Sequence, residues 1–125
     1  MKLRSVHVYA VAWESSVLRQ VTVPIVSQSD CKQYYDAYRL DAGKDGDFCA
    51  GYADGGKDSC GGDSGGPLMC MQGDVWYQHG IVSWGERECD LPDHPAVYTD
   101  VSYFLQWIQQ QQAGQNKDVI SSRLD

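Results

Sequence analysis

The clearest alternation in the chain sets Val21, Val23 and Ile25 against Gln20, Thr22 and Pro24. A period of two predicts a half-buried strand, and Pro24 places it near a sheet edge or bulge. Before it, Lys2 and Arg4 precede Val6, Val8, Tyr9, Ala10, Val11 and Ala12. That start loosely mimics a secretory leader, but the apolar run is short and holds His7 and Tyr9, so it is read as a strand. Residues 30–38 read as a short helix, capped by Ser29 or Asp30, with Asp30 and Gln33 resembling a capping box. Residues 40–47 form a polar turn region with Gly43 and Gly46, and 48–53 a short strand. A glycine-dense loop over 55–66 leads to a strand at 67–71, a turn at Gln72-Gly73-Asp74, and a long strand at 75–84 that pairs back as a hairpin. Residues 85–95 are a polar loop and 96–101 a returning strand. Phe104, Leu105 and Ile108 then recur at helical spacing, predicting a helix over 102–112 that Gly114 ends, with a frayed tail over 111–125.

Six strands, a short helix and a terminal helix, with turns at short intervals, define an all-β antiparallel barrel or sandwich. No internal repeat and no domain boundary interrupts the 125 residues, which suit one core. The chain has 13 Gly, 4 Trp and 8 Tyr, a mixture suited to short strands and tight turns. The formal net charge of −7 and the lack of a Lys/Arg cluster argue against nucleic acid as a partner. No apolar run approaches a membrane-spanning length, so no membrane partner is expected. The five cysteines show no C-x-x-C pair and no histidine at zinc-site distance from two of them. No metal and no cofactor is therefore expected, and disulfides in an oxidising compartment fit better, although spacing alone does not choose the pairs.

Chemistry concentrates in Asp58-Ser59-Cys60-Gly61-Gly62-Asp63-Ser64-Gly65-Gly66-Pro67. Glycines on both sides of Ser64 permit backbone angles that other residues resist. Such a loop can turn its N–H groups inward as an anion-binding concavity, with a serine Oγ beside the donors. A nucleophile and an oxyanion site within about 3 Å of one point is what acyl transfer needs. A phosphate-binding loop is excluded, because no G-K-[ST] follows.

The run Gly62-Asp63-Ser64-Gly65-Gly66-Pro67 resembles the nucleophile loop of the trypsin/chymotrypsin-like serine proteases. Phe48-Cys49-Ala50-Gly51, Gly80-Ile81-Val82-Ser83-Trp84-Gly85, Pro95-Ala96-Val97-Tyr98-Thr99 and the helix through Trp107-Ile108 resemble further segments of that family, in its order. The resemblance covers about residues 13–110 and implies the second, Greek-key barrel of the protease domain with a short and a C-terminal helix, so that 1–125 is a partial peptidase domain. It implies Ser64 as the nucleophile and the N–H groups of Gly62 and Ser64 as the oxyanion hole. Asp63 would pair with the ammonium that activation cleavage frees. Asp58 would lie at the base of a pocket selecting Lys or Arg, and Ser83, Trp84, Gly85 and Ala96 would contact an extended protein or peptide substrate. Bridges Cys31–Cys49 and Cys60–Cys89 are implied, with Cys70 outside both because Val8 stands about where its usual partner would. A secreted, extracellular protein is also implied.

Three departures qualify these expectations. The family's catalytic His and Asp belong to a first barrel, and the T-A-A-H-C and D-I-A-L motifs that carry them are absent from this sequence. His7, His79 and His94 are not expected to replace that base. The chain alone is therefore expected to be inactive unless the missing barrel joins it in cis or in trans; the alternatives are a non-catalytic binding module or a non-functional fragment. Ala96 stands where the pocket usually has Gly, which narrows it, and Glu86 and Glu88 make its entrance more acidic. Glu14 breaks the family's W-G pair after Trp13.

Overall fold

The computed structural model describes residues 6–10, 16–36, 42–86 and 88–121, with side chains over 16–36, 42–86 and 88–114. Six strands form one antiparallel sheet: β1 (Val6–Ala10), β2 (Arg19–Val23), β3 (Asp47–Ala50), β4 (Pro67–Gln72), β5 (Val75–Trp84) and β6 (Ala96–Asp100), in the order β2-β1-β4-β5-β6-β3. Beyond β2 the chain pairs with the opposite edge of the sheet. Ile25 bridges Ala50, Val26 N–H donates to Cys49 O, and Gly51 N–H donates to Pro24 O. Pro24 thus lies just past the end of β2, where its missing N–H costs no ladder bond.

The sheet's inner face carries one apolar cluster of Val23, Ala50, Leu68, Cys70, Val82, Ala96 and Tyr98, against which Phe48 packs. The Phe48 and Tyr98 rings stack with centroids 5.7 Å apart. Gly80 makes room for that stack, since a Cβ there would sit 2.8 Å from Phe48 Cζ. A second cluster of Cys31, Tyr35, Ala42, Cys49 and Val97 fixes the short helix α1 (Gln28–Asp36) to β3. Register skips one residue of β5 twice: His79 between the Gln78 and Gly80 pairings to β4, and Ser83 between the Val82 and Trp84 pairings to β6.

Two helix boundaries differ from the pattern-based expectation. Helix α1 starts two residues earlier because Ser27, not Ser29 or Asp30, is the cap: Ser27 Oγ accepts from Asp30 N–H at 3.1 Å. The expected end at Tyr38 lies outside the described residues. Helix α2 (Val101–Ser121) runs through Gly114 instead of ending there, so the expected frayed tail is largely helical backbone. One glycine costs a helix interior only about 1 kcal/mol, and no proline follows to stop it. Its start is set by Asp100, whose Oδ1 accepts from Ser102 N–H (2.8 Å) and Ser102 Oγ–H (2.6 Å). No helix of the described residues is long and apolar enough to cross a membrane.

Disulfides join Cys31 to Cys49 and Cys60 to Cys89, while Cys70 is buried outside both bridges with its Sγ 3.7 Å from Met71 O. The second bridge closes the longer loop, with a sequence separation of 29. Replacing Cys60 and Cys89 together by Ser is expected to lower stability by about 3–4 kcal/mol, from the regained freedom of the unfolded chain. Denaturant unfolding of the double variant measures this, and a loss below about 1 kcal/mol would show that the bridge constrains little.

Candidate active site

The loop between β3 and β4 builds the site. Within it Asp63 N–H donates to Cys60 O and Gly66 N–H to Asp63 O, so the backbone reverses tightly around Ser64. Gly62 (φ +98°) and Gly65 (φ +82°) on either side take left-handed angles that a side chain would resist. The loop is then stitched to β5: Gly65 N–H donates to Val82 O, and Val82 N–H donates to Gly66 O. This pairing stops at Val82. Ser83, Trp84 and Gly85 run on beside Ser64 with no partner strand on that side among the described residues.

Ser64 is exposed and lines an open cleft of about 310 Å³. Ser83, Trp84, Gly85 and Ala96 line the same cleft, so the structure brings these five expected residues together. Gly85 and Ala96 face each other closely: a Cβ on Gly85 would come within 3.9 Å of the Ala96 methyl. Trp84 is held from behind by Tyr35, edge-on at 5.1 Å, and Tyr35 in turn donates its hydroxyl to Pro95 O. The Cys60–Cys89 bridge ties two of the lining residues across one end of the cleft.

Asp58, Gly62 and Asp63 do not line that cleft; they lie behind or beside its wall. Asp58 is mostly buried, next to the lining residue Ser59, and its Oδ1 accepts from Ser59 N–H at 2.7 Å. Burial pushes the Asp58 carboxyl up to about 6, and the Asp90 and Asp63 carboxylates add to this against the pull of the Ser59 and Asp90 N–H groups. Asp63 is 5% exposed and folds back on its loop, Oδ2 accepting from Cys60 N–H at 2.8 Å. Its other oxygen, Oδ1, is buried with no hydrogen-bond partner among the described residues. The Gly62 and Ser64 N–H groups likewise have no acceptor among the described residues.

The histidines lie elsewhere. His94 Nδ1 is 2.7 Å from Pro92 O, with its ring edge-on to Tyr35. His79 lines a separate cavity with Phe48, Asp100 and Ser102, and its Nε2 has no hydrogen-bond partner among the described residues. The side chain of His7 lies outside the described residues. Ser64 Oγ makes no hydrogen bond to either described histidine side chain. Among the described residues no group of three or more His, Cys, Asp or Glu side chains could hold a metal ion.

Two parts of the site escaped the sequence reading. Ser59 is buried in the wall and accepts a hydrogen bond from Tyr98 hydroxyl at 3.1 Å. Tyr98 links the pocket wall to the inner core, and burial raises its phenol well above the usual range. Tyr35 is the second. Its only sequence signal was an aromatic on the buried side of a short helix, which equally describes a core residue.

Sheet, disulfides, glycine-framed serine loop and cleft together fit the trypsin-like serine peptidases. The Trypsin family model matches residues 5–108, and the chain belongs to that family. The match begins upstream of Trp13, so it includes β1. Among similar proteins, Testisin of Homo sapiens is 47% identical over 93 residues, 74% of this chain and 29% of that protein. Trypsin-1 of Astacus astacus is 51% identical over 92 residues, 74% of this chain and 37% of that protein. The chain thus spans about a third of the length of these curated relatives.

Proposed function

We propose that this chain is the substrate-holding half of a secreted serine endopeptidase that cleaves after Lys or Arg. The observation that carries the reading is the juxtaposition of Ser64 with the backbone edge Ser83–Gly85, unpaired on that side among the described residues, in one cleft beside a half-buried carboxylate at Asp58. An extended peptide can add to such an edge as a strand. Its carbonyl would then lie beside Ser64 and the unengaged N–H groups of Gly62 and Ser64, which serve as nucleophile and oxyanion donors. A cationic side chain that reaches past Ser59 in the cleft wall gains charge pairing with the Asp58 carboxylate beside it, and this outweighs the modest steric effect of the Ala96 methyl. Asp63 Oδ1, buried without a donor, is the acceptor for an incoming ammonium that orders the loop. The base that activates Ser64 comes from a first barrel, in cis or in trans. On this reading the sheet belongs to the second Greek-key barrel of the domain, and the contacts of residues 24–26 with β3 support it. The two bridges fit folding in an oxidising, extracellular compartment.

A chimera joining a trypsin-like first barrel to this chain tests the reading. It is expected to cleave Arg and Lys substrates over Phe and Ala ones, and Asp58→Ser is expected to abolish that preference. Preference for Phe over Arg would refute the assignment. The competing reading, a non-catalytic module that keeps the pocket, draws on the lack of any Ser64–histidine hydrogen bond among the described residues. It requires the chimera to stay inactive although it binds a benzamidine.

A further inference from the structure

We propose that helix α2 is a self-association surface, through which two copies of this chain form a two-fold symmetric dimer.

The face is apolar, exposed and firmly held. A groove of about 250 Å³ between α2 and the sheet is lined by Ile81, Thr99, Val101, Phe104, Trp107 and Ile108, none of them charged. It shares no lining residue with the Ser64 cleft. Tyr103 and Leu105 extend the apolar surface along the helix, and Tyr103 is 58% exposed. The first turn is pinned from both sides. Asp100 Oδ1 accepts from Ser102 N–H, and Asp100 N–H donates to Gly46 O. The Tyr103 and Phe104 rings meet edge-on at 5.0 Å, and a Cβ on Gly46 would lie 3.0 Å from the Phe104 ring. A surface ordered in advance loses little freedom when a partner covers it.

Charge selects the occupant. Each copy carries a formal net charge of −7, so two copies repel where their charged surfaces meet. Residues 101–116 hold no Asp, Glu, Lys, Arg or His, in a chain that is 22% charged. A solvated helix ordinarily carries charges on its polar face, and α2 carries exposed Gln106, Gln109 and Gln110 instead. Glutamine amides can hydrogen-bond across an interface without the desolvation cost of an ion. The helix is therefore where two like-charged copies meet at least cost. A lipid surface fits less well, because helices lying in a membrane interface present Lys and Arg to the headgroups, and this segment has neither.

The groove and its wall are self-complementary. In a two-fold pair each copy supplies the same patch, so it must offer both a protrusion and a recess. Trp107 lines the groove and yet stands more than half exposed. With the two helices antiparallel, Trp107 of each copy enters the groove of the other, against Phe104 and Ile108. The uncharged segment is about 24 Å long and a helix is about 10 Å wide. That strip is smaller than the roughly 800 Å² per partner of a standard interface, so the dimer is expected to be weak, dissociating at about 10–100 μM.

Sedimentation velocity of the 125-residue chain, run from about 1 to about 500 μM, tests the proposal. The average mass is expected to rise from one chain to two and stop there, since a two-fold contact closes on itself. Raising salt from about 0.05 to about 0.3 M is expected to tighten the dimer about threefold, because screening relieves the repulsion between copies. Trp107→Glu and Leu105→Lys are each expected to weaken it at least about tenfold. The second adds a positive charge, so its loss of association cannot come from greater repulsion. Both side chains are about half exposed, and circular dichroism checks that each variant keeps the fold; if one does not, the other carries the test. Trp76→Glu, at another exposed aromatic on the β4–β5 hairpin, is expected to leave the dimer within about twofold of wild type. A chain that stays monomeric throughout, growth past two copies, association that loosens with salt, or equal weakening by Trp76→Glu overturns the proposal. A monomer that floats with phosphatidylcholine vesicles, and ceases to do so in Trp107→Glu, assigns the face to lipid and overturns it as well.

Discussion

Purified as the 125-residue chain, the protein is expected to show no measurable endopeptidase turnover. Serine is a weak nucleophile until a base within about 2.6–3.2 Å takes its proton. Ser64 has no such bond to His79 or His94: one faces a cavity lined by Phe48 and Asp100, the other is held at Pro92 O. In characterised serine proteases, removing a triad member leaves only about 10³–10⁴-fold acceleration over water, from the oxyanion hole and binding. That residue of activity also needs an ordered loop, and Asp63 Oδ1 is without a donor among the described residues. The chain further carries an apolar groove formed by Ile81, Val101, Phe104, Trp107 and Ile108, with Trp107 59% exposed, so the assay belongs on a monomeric fraction. A fluorophosphonate probe and an Arg-containing peptide provide the two readouts. Rapid labelling that disappears in Ser64→Ala, together with steady turnover, would reveal a base that the described residues do not supply.

The sequence carried the site further than it carried the element boundaries. Ser64 was legible because the glycines on either side of it mark where its loop turns left-handed, whereas Ser83, Trp84 and Gly85 came from likeness to the family. β2 followed from a period-two run, and the hairpin of β4 and β5 from the Gln72-Gly73-Asp74 turn between them. Helix ends were not legible in the same way. The cap of α1 fell to Ser27 rather than Ser29 or Asp30, since several adjacent residues could each supply an acceptor oxygen and the local pattern does not choose among them. Gly114 misled because a helix-disfavouring residue is a weak stop where strong helix formers surround it. The disulfide pairing came from likeness to a family, not from cysteine spacing, which allows several solutions. Least visible were contacts made across the fold, such as Tyr98 hydroxyl on Ser59 and Tyr35 behind Trp84. They join residues 39 and 49 positions apart, a distance at which periodicity says nothing.

Binding of a small cation such as p-aminobenzamidine is expected to weaken about tenfold as pH falls from about 7 to about 5, and Asp58→Asn is expected to remove both that slope and most of the affinity. The Asp58 carboxyl titrates at about 6 in the fold, against an ordinary value of 3.8, with burial the chief cause. A cation pairs only with the ionised form, so affinity rises with pH through about 6 and levels off above it. Stability of the ligand-free protein moves in the opposite direction. Because the folded state holds its proton to higher pH than the unfolded chain does, the Asp58 contribution is most favourable below the ordinary carboxylate range. It is lost as pH rises toward about 6, and above that the buried charge opposes folding. Asp58→Asn removes the ionisation and keeps the shape, so the variant should gain stability relative to wild type at about pH 8 and gain less at about pH 4. Probe fluorescence and denaturant unfolding at several pH values measure the two effects on the same samples. The opposite signs separate a carboxylate that is buried to meet a cation from one that merely sits in a loop. A solvated loop carboxylate would give flat binding across this range and no stability gain in the Asn variant.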